Sequence, residues 1–277
     1  MIRYNTSMFS KTEKDYILSK YLQSNNLDEL LKETPYSKTE IVAILLANNI
    51  KNQSLISTLN IPNLQDNQLI IISDTHLGSK LDNLNYIYKA YDYALSNNIK
   101  TIIHLGDLFQ STMRNVSPSY IEPSTQLQLF LTILKSYPSI DTYILFGNHD
   151  LHLLKKDDTF LKELNNYNNL KILGFKKSYL SWQNTIISLH HPISKYNLNI
   201  PSIIDKIKLY GHRHQLYLKD NQIYLPSLSD DLKTYSNIEG TPGFLIATLK
   251  DNKISFEHLE FIPEMTSKGL IYQQKIR

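Results

Sequence analysis

Apolar residues recur at helical spacing through the first 60 residues of the chain. They form three groups, at Tyr16, Ile17, Tyr21 and Leu22, at Leu27, Leu30 and Leu31, and at Ile41, Ile44 and Leu45. Asn26 precedes the second group and Ser37 the third, each with a glutamate three residues further on, which is the pattern of a capped helix start. Residues 1–60 are therefore predicted to form a small all-helical segment of three short helices.

The second and third predicted helices are joined by a short turn at residues 34–36. Two helices in this arrangement resemble a helix-turn-helix unit, which places its second helix in DNA. The alternative is a small bundle that packs on the rest of the chain or on another copy of itself. Residues 1–66 carry seven basic and seven acidic residues, and because DNA-binding segments are usually basic, the charge balance favours the bundle.

A polar stretch that contains a proline, residues 61–67, predicts a linker, and the hydrophobic pattern changes after it. Short apolar runs, which predict strands, occur at residues 69–72, 101–105, 142–146, 185–189 and 207–210. Helical patterns fill residues 82–97 and 124–136. Two alternating runs around Asp251 and Asn252 predict a β-hairpin near the end of the chain. Residues 68–277 are therefore predicted to form a layered α/β domain.

The composition excludes several classes of protein and of site. With 42% hydrophobic and 20% charged residues, the chain has the make-up of a folded globular protein. The formal net charge of +3 permits an anionic substrate without requiring one. No cysteine is present, so any metal site must use nitrogen and oxygen ligands. The chain begins without the apolar run of a signal peptide and has no stretch of ~20 apolar residues, so we expect a cytoplasmic protein that is not bound to a membrane.

Each predicted strand of the domain leads into residues of the types that bind metal ions. These segments are Asp74-Thr75-His76, Gly106-Asp107, Gly147-Asn148-His149-Asp150, His190-His191-Pro192 and Gly211-His212-Arg213-His214. Ligands of open α/β sheets bind outside the carboxyl ends of the strands, so the five segments are expected to converge. Carboxylate, imidazole and amide donors suit Mn, Fe or Zn, and a carboxylate such as Asp107 can bridge two ions. In extended backbone, alternate residues such as His212 and His214 would point to the same side.

The five segments, in this order, resemble the sequence blocks of the calcineurin-like metallophosphoesterase superfamily. The resemblance covers roughly residues 68–260 and implies a four-layered α/β/β/α sandwich. It implies one metal ion bound by Asp74, His76, Asp107 and His214, and a second bound by Asp107, Asn148, His190 and His212. His190 and His191 face opposite ways on a strand, and the family pattern favours His190 as the ligand. His104, alone in an apolar strand, is interpreted as a core residue.

The resemblance also implies a reaction, the hydrolysis of phosphate esters with two divalent metal ions, which we expect to be Mn, with Fe or Zn as alternatives. Two cations about 4 Å apart lower the pKa of water and neutralise phosphate oxygens, so that a hydroxide attacks phosphorus in line. His149 is placed beside the metal ions without coordinating them, where it would protonate the leaving alkoxide. Asp150 would then orient His149.

The wording of the blocks separates the branches of this superfamily. Phosphoprotein phosphatases have an arginine after Gly-Asp and read Gly-Asn-His-Glu, whereas this chain reads Gly-Asp-Leu-Phe-Gln and Gly-Asn-His-Asp. The blocks are more similar to those of the DNA-repair exonuclease branch typified by bacterial SbcD, whose substrates are phosphodiesters in DNA. Only 63 residues follow His214, too few for the additional capping and partner-binding regions of those nucleases.

We therefore expect a phosphodiesterase or nuclease that acts on DNA, RNA or a nucleotide, with the N-terminal helices positioning substrate or partner. The alternative is a small-molecule phosphomonoesterase or cyclic-nucleotide phosphodiesterase. A DNA-binding regulator with an inactive enzyme domain is disfavoured because every ligand position is filled. A basic track leading from residues 38–51 to the metal site would favour the first hypothesis, and a narrow closed pocket the second. The pattern does not identify nucleic-acid-binding residues, an oligomeric state or a role for residues 111–123.

Overall fold

A computed structural model of the chain provides the structure. It describes residues 10–35, 41–42, 44–45, 62–79, 83–111, 121–154, 159–183, 185–192, 207–229, 241–251, 253–266 and 269–276.

Two of the predicted N-terminal helices are present, α1 (Lys11–Ser24) and α2 (Leu27–Glu33). Ser10 and Glu13 form a reciprocal capping box at the start of α1, and the Asn26 side chain accepts hydrogen bonds from two amides at the start of α2. Because these caps satisfy amides that lack a partner within the helix, they fix where both helices begin.

The N-terminal helices have their own hydrophobic core. Its buried members are Ile17, Tyr21, Leu30, Ile41, Val42, Ile44 and Leu45. Residues 41–42 and 44–45 are helical, as predicted for the third helix. Ser37, the predicted cap of that helix, and the end of the turn before it lie outside the described residues. The helix-turn-helix interpretation therefore stays a prediction.

The described residues include strands that form two sheets. The strands are β1 (Asn63–Leu64), β2 (Gln68–Ile72), β3 (Thr101–His104), β4 (Asp141–Phe146), β5 (Leu170–Phe175), β6 (Lys177–Trp182), β7 (Thr185–His190), β8 (Ile207–Tyr210), β9 (Tyr217–Lys219), β10 (Gln222–Tyr224), β11 (Gly243–Lys250), β12 (Lys253–Thr266) and β13 (Gly269–Ile276). A seven-stranded sheet has the order β13-β12-β11-β2-β3-β4-β5, and a six-stranded sheet has the order β1-β6-β7-β8-β10-β9. Neighbouring strands are parallel from β2 to β5, and β8 is parallel to both β7 and β10.

The two sheets pack face to face, and helices cover the outer face of the seven-stranded sheet. These helices are α3 (Leu84–Ser96), α4 (Pro123–Ser136), α5 (Asn148–Leu154) and α6 (Thr159–Leu164). In β2, Leu69 and Ile71 belong to the core between the sheets, whereas Ile70 and Ile72 pack under the helices. A strand that is buried on both faces has a continuous run of apolar residues, and this run is the pattern from which β2 was predicted. Two sheets flanked by helices confirm the predicted α/β sandwich.

The sequence predictions for this domain hold, with one exception. The five apolar runs form β2, β3, β4, β7 and β8, the two helical patterns form α3 and α4, and β11 and β12 form the terminal hairpin. The predicted linker, residues 61–67, instead contains β1, which pairs in parallel with Ser181 and Trp182 at the edge of the six-stranded sheet. Leu64 is buried between the sheets, and the amides of Ser181 and Gln183 donate hydrogen bonds to the carbonyl oxygens of Pro62 and Leu64. Among the described helices, none combines the length and hydrophobicity needed to cross a bilayer.

Candidate metal centre

The predicted site residues converge where the carboxyl ends of strands from both sheets meet. The loops after β2 and β3 run side by side: the amide of Asp74 donates to Gly106 O at 3.0 Å, and the amide of His76 donates to Asp107 O at 3.0 Å. The loop after β8 joins them, because the amide of His212 donates to Asp74 Oδ2 at 2.9 Å. The convergence predicted from the strand ends is therefore present.

One group of donors consists of Asp74, His76 and His214. His214 Nε2 lies 3.2 Å from Asp74 Oδ1, and the Nε2 atoms of His76 and His214 are 3.3 Å apart. His76 Nδ1 lies 2.8 Å from Gln110 Oε1. Because the glutamine oxygen can only accept, His76 Nδ1 carries the proton and its Nε2 lone pair faces Asp74 and His214. Such a fixed tautomer is typical of a metal-binding histidine.

A second group consists of Asp107, His191 and His212, whose donor atoms lie within 4.8 Å of one another. His191 Nε2 is 3.1 Å from Asp107 Oδ2, and Asp107 Oδ1 accepts from the amide of His149 at 2.8 Å. Asp107 also groups with His76 and His149 within the same distance. Asp107 therefore belongs to the second group and also lies close to His76 of the first group.

His190 does not reach the centre, and its prediction as a ligand is wrong. It is the last residue of β7, and its ring stacks on Tyr210 with centroids 4.6 Å apart while Nε2 contacts Ser188 Oγ at 2.8 Å. Adjacent strand residues face opposite sides, so His191 points into the centre instead. Alternation along β7 requires the two histidines to face opposite sides, but it does not determine which of them faces the metal site.

Three glycines of the sequence blocks make room for the His191 ring. A Cβ atom built on Gly106 or Gly211 would lie 2.5 or 2.8 Å from His191 Nδ1, and one built on Gly147 would lie 2.7 Å from Nε2. These distances are shorter than van der Waals contact, so a side chain at any of the three positions would displace the ring. The glycines before Asp107, Asn148 and His212 thus leave the space that the His191 ring occupies, although the sequence analysis favoured His190.

Five of the predicted donors have left-handed backbone. Positive φ angles occur at Asp74 (53°), His76 (46°), Asp107 (53°), His212 (75°) and His214 (57°). The expectation that these loops have extended backbone is therefore wrong. The side chains of Asp74 and His76, and those of His212 and His214, nevertheless all belong to the donor groups. Left-handed backbone costs a non-glycine residue about 1–3 kcal/mol and accumulates at functional sites.

The Asp150 carboxylate contacts backbone amides of two loops. It accepts hydrogen bonds from the backbone amides of Phe109 and Gly147, each at 2.8 Å, and of Leu108 at 3.3 Å. These bonds join the loops after β3 and β4. The predicted role of Asp150 in orienting His149 stays a prediction. The His149 ring has Nδ1 3.4 Å from both the amide and the hydroxyl of Ser111.

Burial and mutual contact set the charges of these side chains. Burial opposes ionisation of Asp74, but nearby His214 holds its pKa well below the ordinary value, and His191 does the same for Asp107. Burial lowers the pKa of His76 to about 3. Burial also disfavours the charged form of His191, yet the Asp107 carboxylate raises its pKa to about 10. At neutral pH the carboxylates are thus ionised, and His191 is paired with Asp107 as a cation.

Other buried groups surround this centre. Burial and the negative charge of Asp107 raise the pKa of Asp150 to about 7, and burial lowers that of His149. His104 contacts Thr75 Oγ1 at 3.1 Å inside the domain, which confirms its interpretation as a core residue. Gln110 and Ser111 were missed by the sequence analysis; their position directly after the Gly-Asp block was the available signal.

The donor set fits divalent metal ions. Two ionised carboxylates and several imidazoles face one another, and Asn148 is buried. The imidazole nitrogens of His76 and His214 approach to 3.3 Å, an arrangement that a cation bound by both would stabilise. Oxygen and nitrogen donors without thiolates suit Mn, Fe or Zn.

The candidate centre lies within a region that matches a known family. Residues 68–255 match the family model described as calcineurin-like phosphoesterase. This range includes every residue of both donor groups. No curated protein matches this chain in sequence.

Several solved structures are similar to this chain. An archaeal phosphodiesterase is 20% identical, with a TM-score of 0.46, and the similarity covers 69% of this chain and 99% of that one. The Escherichia coli phosphoesterase YfcE is 14% identical, with a TM-score of 0.42 and coverage of 75% and 98%. The Pseudomonas putida nuclease MPE is 13% identical, with a TM-score of 0.39 and coverage of 67% and 85%.

Proposed function

This chain belongs to the calcineurin-like phosphoesterase family, and from that premise we propose that it hydrolyses phosphodiesters of nucleic acid or nucleotides with two divalent metal ions. The observation that carries the proposal is the position of Asp107, which groups with His76 and His149 on one side and with His191 and His212 on the other. A carboxylate shared by two sets of donors is what a two-metal site requires.

The proposed ligand sets follow the two donor groups. One ion would be held by Asp74, His76, Asp107 and His214, and the other by Asp107, Asn148, His191 and His212. We propose Mn as the metal, with Fe or Zn as alternatives, because the donors are nitrogen and oxygen. When bound, such ions lower the pKa of water and offset the negative charge of phosphate oxygens.

The protein side chains would supply the remaining steps. His149 lies at the edge of the centre, with its ring centroid 4.8 Å from that of His76, and would donate a proton to the leaving oxygen of the ester. Burial lowers the pKa of His149, but a bound anionic phosphate would raise it again, because opposite charge favours the imidazolium. The contacts with Ser111 would orient the His149 ring.

The residues of two sequence blocks favour a phosphodiester over a phosphomonoester as the substrate. Asp74-Thr75-His76-Leu77-Gly78 and Gly106-Asp107-Leu108-Phe109 resemble the exonuclease branch, and the arginine typical of phosphoprotein phosphatases is missing after Gly-Asp. Lys38 and Lys51, which would carry a basic track from the N-terminal helices, lie outside the described residues. Residues 112–120, part of the segment 111–123 for which the sequence identifies no role, also lie outside the described residues.

Hydrolysis by protein reconstituted with Mn²⁺ tests the proposal. The substrates are bis-p-nitrophenyl phosphate, p-nitrophenyl phosphate, and labelled single- and double-stranded DNA and RNA. Activity on the diester and on a nucleic acid is expected. Activity confined to the monoester would instead support the small-molecule phosphatase, and inactivity with Mn²⁺, Fe²⁺ and Zn²⁺ would contradict both enzyme hypotheses.

A further inference from the structure

Four aromatic rings form a continuous row across the six-stranded sheet. We call His190, Tyr210, Tyr224 and Tyr217 the aromatic row. They occupy four neighbouring strands and are paired in register, His190 with Tyr210, Tyr210 with Tyr224, and Tyr224 with Tyr217. Successive ring centroids are 4.6, 4.7 and 5.8 Å apart, and the first two pairs are stacked. The spacing of such rings is within the range of favourable aromatic contact.

The aromatic row begins on the strand ends that lead into the metal centre. His190 directly precedes His191, and Tyr210 is separated from His212 by one glycine. Arg213, the residue between His212 and His214, has its guanidinium carbon 4.5 Å from the centroid of the Tyr224 ring. The same loops that supply metal donors therefore fix the position of the row, which extends across three strand spacings, ~14 Å, to the edge of the sheet.

The accessible part of the aromatic row lies at its outer end. The residues next to the row, Leu189, Leu209 and Ile223, fill the core between the sheets, so the row faces the opposite side. His190 and Tyr210 are buried, whereas Tyr224 is half-buried and Tyr217 is 49% exposed. A single exposed tyrosine needs no explanation, but this one ends a stacked series that leads to the candidate catalytic site.

Basic residues accompany the aromatic row. In the adjoining cross-strand row, Gln222 is paired with Lys208, which is buried, and with Lys219, which is exposed. Lys177 is paired with His190, and Arg213 lies on the Tyr224 ring. Aromatic faces for the bases, combined with cationic side chains for the phosphates, are what proteins use to bind single-stranded nucleic acid with little sequence preference.

We propose that the aromatic row is a stacking platform for bases of a single-stranded nucleic acid whose phosphodiester lies in the metal centre. This inference rests on the proposed phosphodiesterase function and names its substrate class. Tyr217, at the exposed end of the row, provides the ring face for a base. Tyr224 is stacked on Tyr210 and covered by Arg213, so it supports Tyr217 from the inner side. Arg213 contributes positive charge where the strand approaches His212 and His214. Because every base has an aromatic face, binding at this platform depends on the presence of bases rather than on their identity.

The test compares two oligonucleotides of equal length on the Mn²⁺-loaded full chain. One is single-stranded DNA with its bases, and the other has abasic sites at every position. Wild type is expected to bind and cleave the first with a lower KM than the second. Tyr217→Ala should raise KM for the base-containing strand by about tenfold with kcat unchanged, and Tyr217→Phe should restore the wild-type value because it keeps the ring.

Leu218→Ala is the matched control, since Leu218 is the next residue of β9 and is 58% exposed. It should leave KM for both strands unchanged. Equal KM values for Tyr217→Ala and wild type, or equal binding of the two oligonucleotides by wild type, would overturn the inference. Hydrolysis of bis-p-nitrophenyl phosphate by wild type tests the proposed phosphodiesterase function separately. Failure of the base-stacking inference can therefore be distinguished from failure of the proposed function.

Discussion

His191 Nε2 lies 3.1 Å from Asp107 Oδ2, and this contact determines how the metal centre is assembled. Asp107 comes from the loop after β3 of one sheet, and His191 follows β7 of the other sheet. The pair therefore joins the two sheets at the edge where the other donors stand. His191 thus lies against Asp107, in the place where the family pattern leads us to expect His190.

Replacing each of these neighbouring histidines separately tests that assignment. His191→Ala should lower metal content and reduce hydrolysis by more than about 100-fold, because loss of a residue that only supports a ligand already costs about 10- to 100-fold. His190→Ala should retain its metal ions. Elemental analysis of both variants, with circular dichroism to verify folding, measures the difference. Metal loss in His190→Ala together with full occupancy in His191→Ala would restore the family assignment.

His149→Ala should separate metal binding from proton transfer. Because His149 is proposed to protonate the leaving group, its loss should reduce kcat by about 10²- to 10⁴-fold while metal content stays at the wild-type value. A substrate whose leaving group needs no proton, such as a p-nitrophenyl ester, should be affected much less than an oligonucleotide. Equal losses on both substrates would contradict the role as an acid.

Asp150→Ala should lower the free energy of unfolding. The substitution leaves three buried amides without their acceptor, and each unsatisfied buried group costs about 1–3 kcal/mol. Urea unfolding of the metal-free protein should show a decrease of several kcal/mol in the free energy of unfolding. A variant of unchanged stability and reduced kcat would instead support the role predicted from sequence, orientation of His149.

Metal binding should release protons near neutral pH. In the metal-free protein the Asp107 carboxylate raises the pKa of His191 to about 10, so the ring is protonated at pH 7 and becomes neutral only as the pH rises through that value. A metal ion binds the neutral imidazole, so affinity for Mn²⁺ should fall as the pH is lowered. Calorimetric titration at pH 7 in two buffers of different ionisation enthalpy should give different apparent enthalpies. Identical enthalpies would show that His191 carries no proton to release.

Much of this architecture could be predicted from the sequence because its signals are local. Buried strands such as β2 are continuous apolar runs, and donors that follow strands must gather at the carboxyl edge of a sheet. These two facts placed Asp74, Asp107 and His214 in one site without any structural information.

The remaining features depend on contacts that are distant in the chain. The choice of His191 over His190 depends on which face of β7 meets the other sheet, and the carboxylate of Asp150 binds amides 41 and 42 positions earlier. The aromatic row depends on the register of four strands, and β1 depends on pairing with β6. None of these features has a periodic pattern that a single sequence would show.

The most direct test of the two-metal proposal is the metal stoichiometry of wild type and Asp107→Asn after reconstitution with Mn²⁺, measured together with hydrolysis of bis-p-nitrophenyl phosphate. Because Asp107 belongs to one donor group and also lies close to His76 of the other, wild type should bind two ions per chain, and the variant should lose occupancy at both sites together with its activity. Two tightly bound ions and wild-type hydrolysis in Asp107→Asn would contradict the bridging role and the two-metal centre built on it.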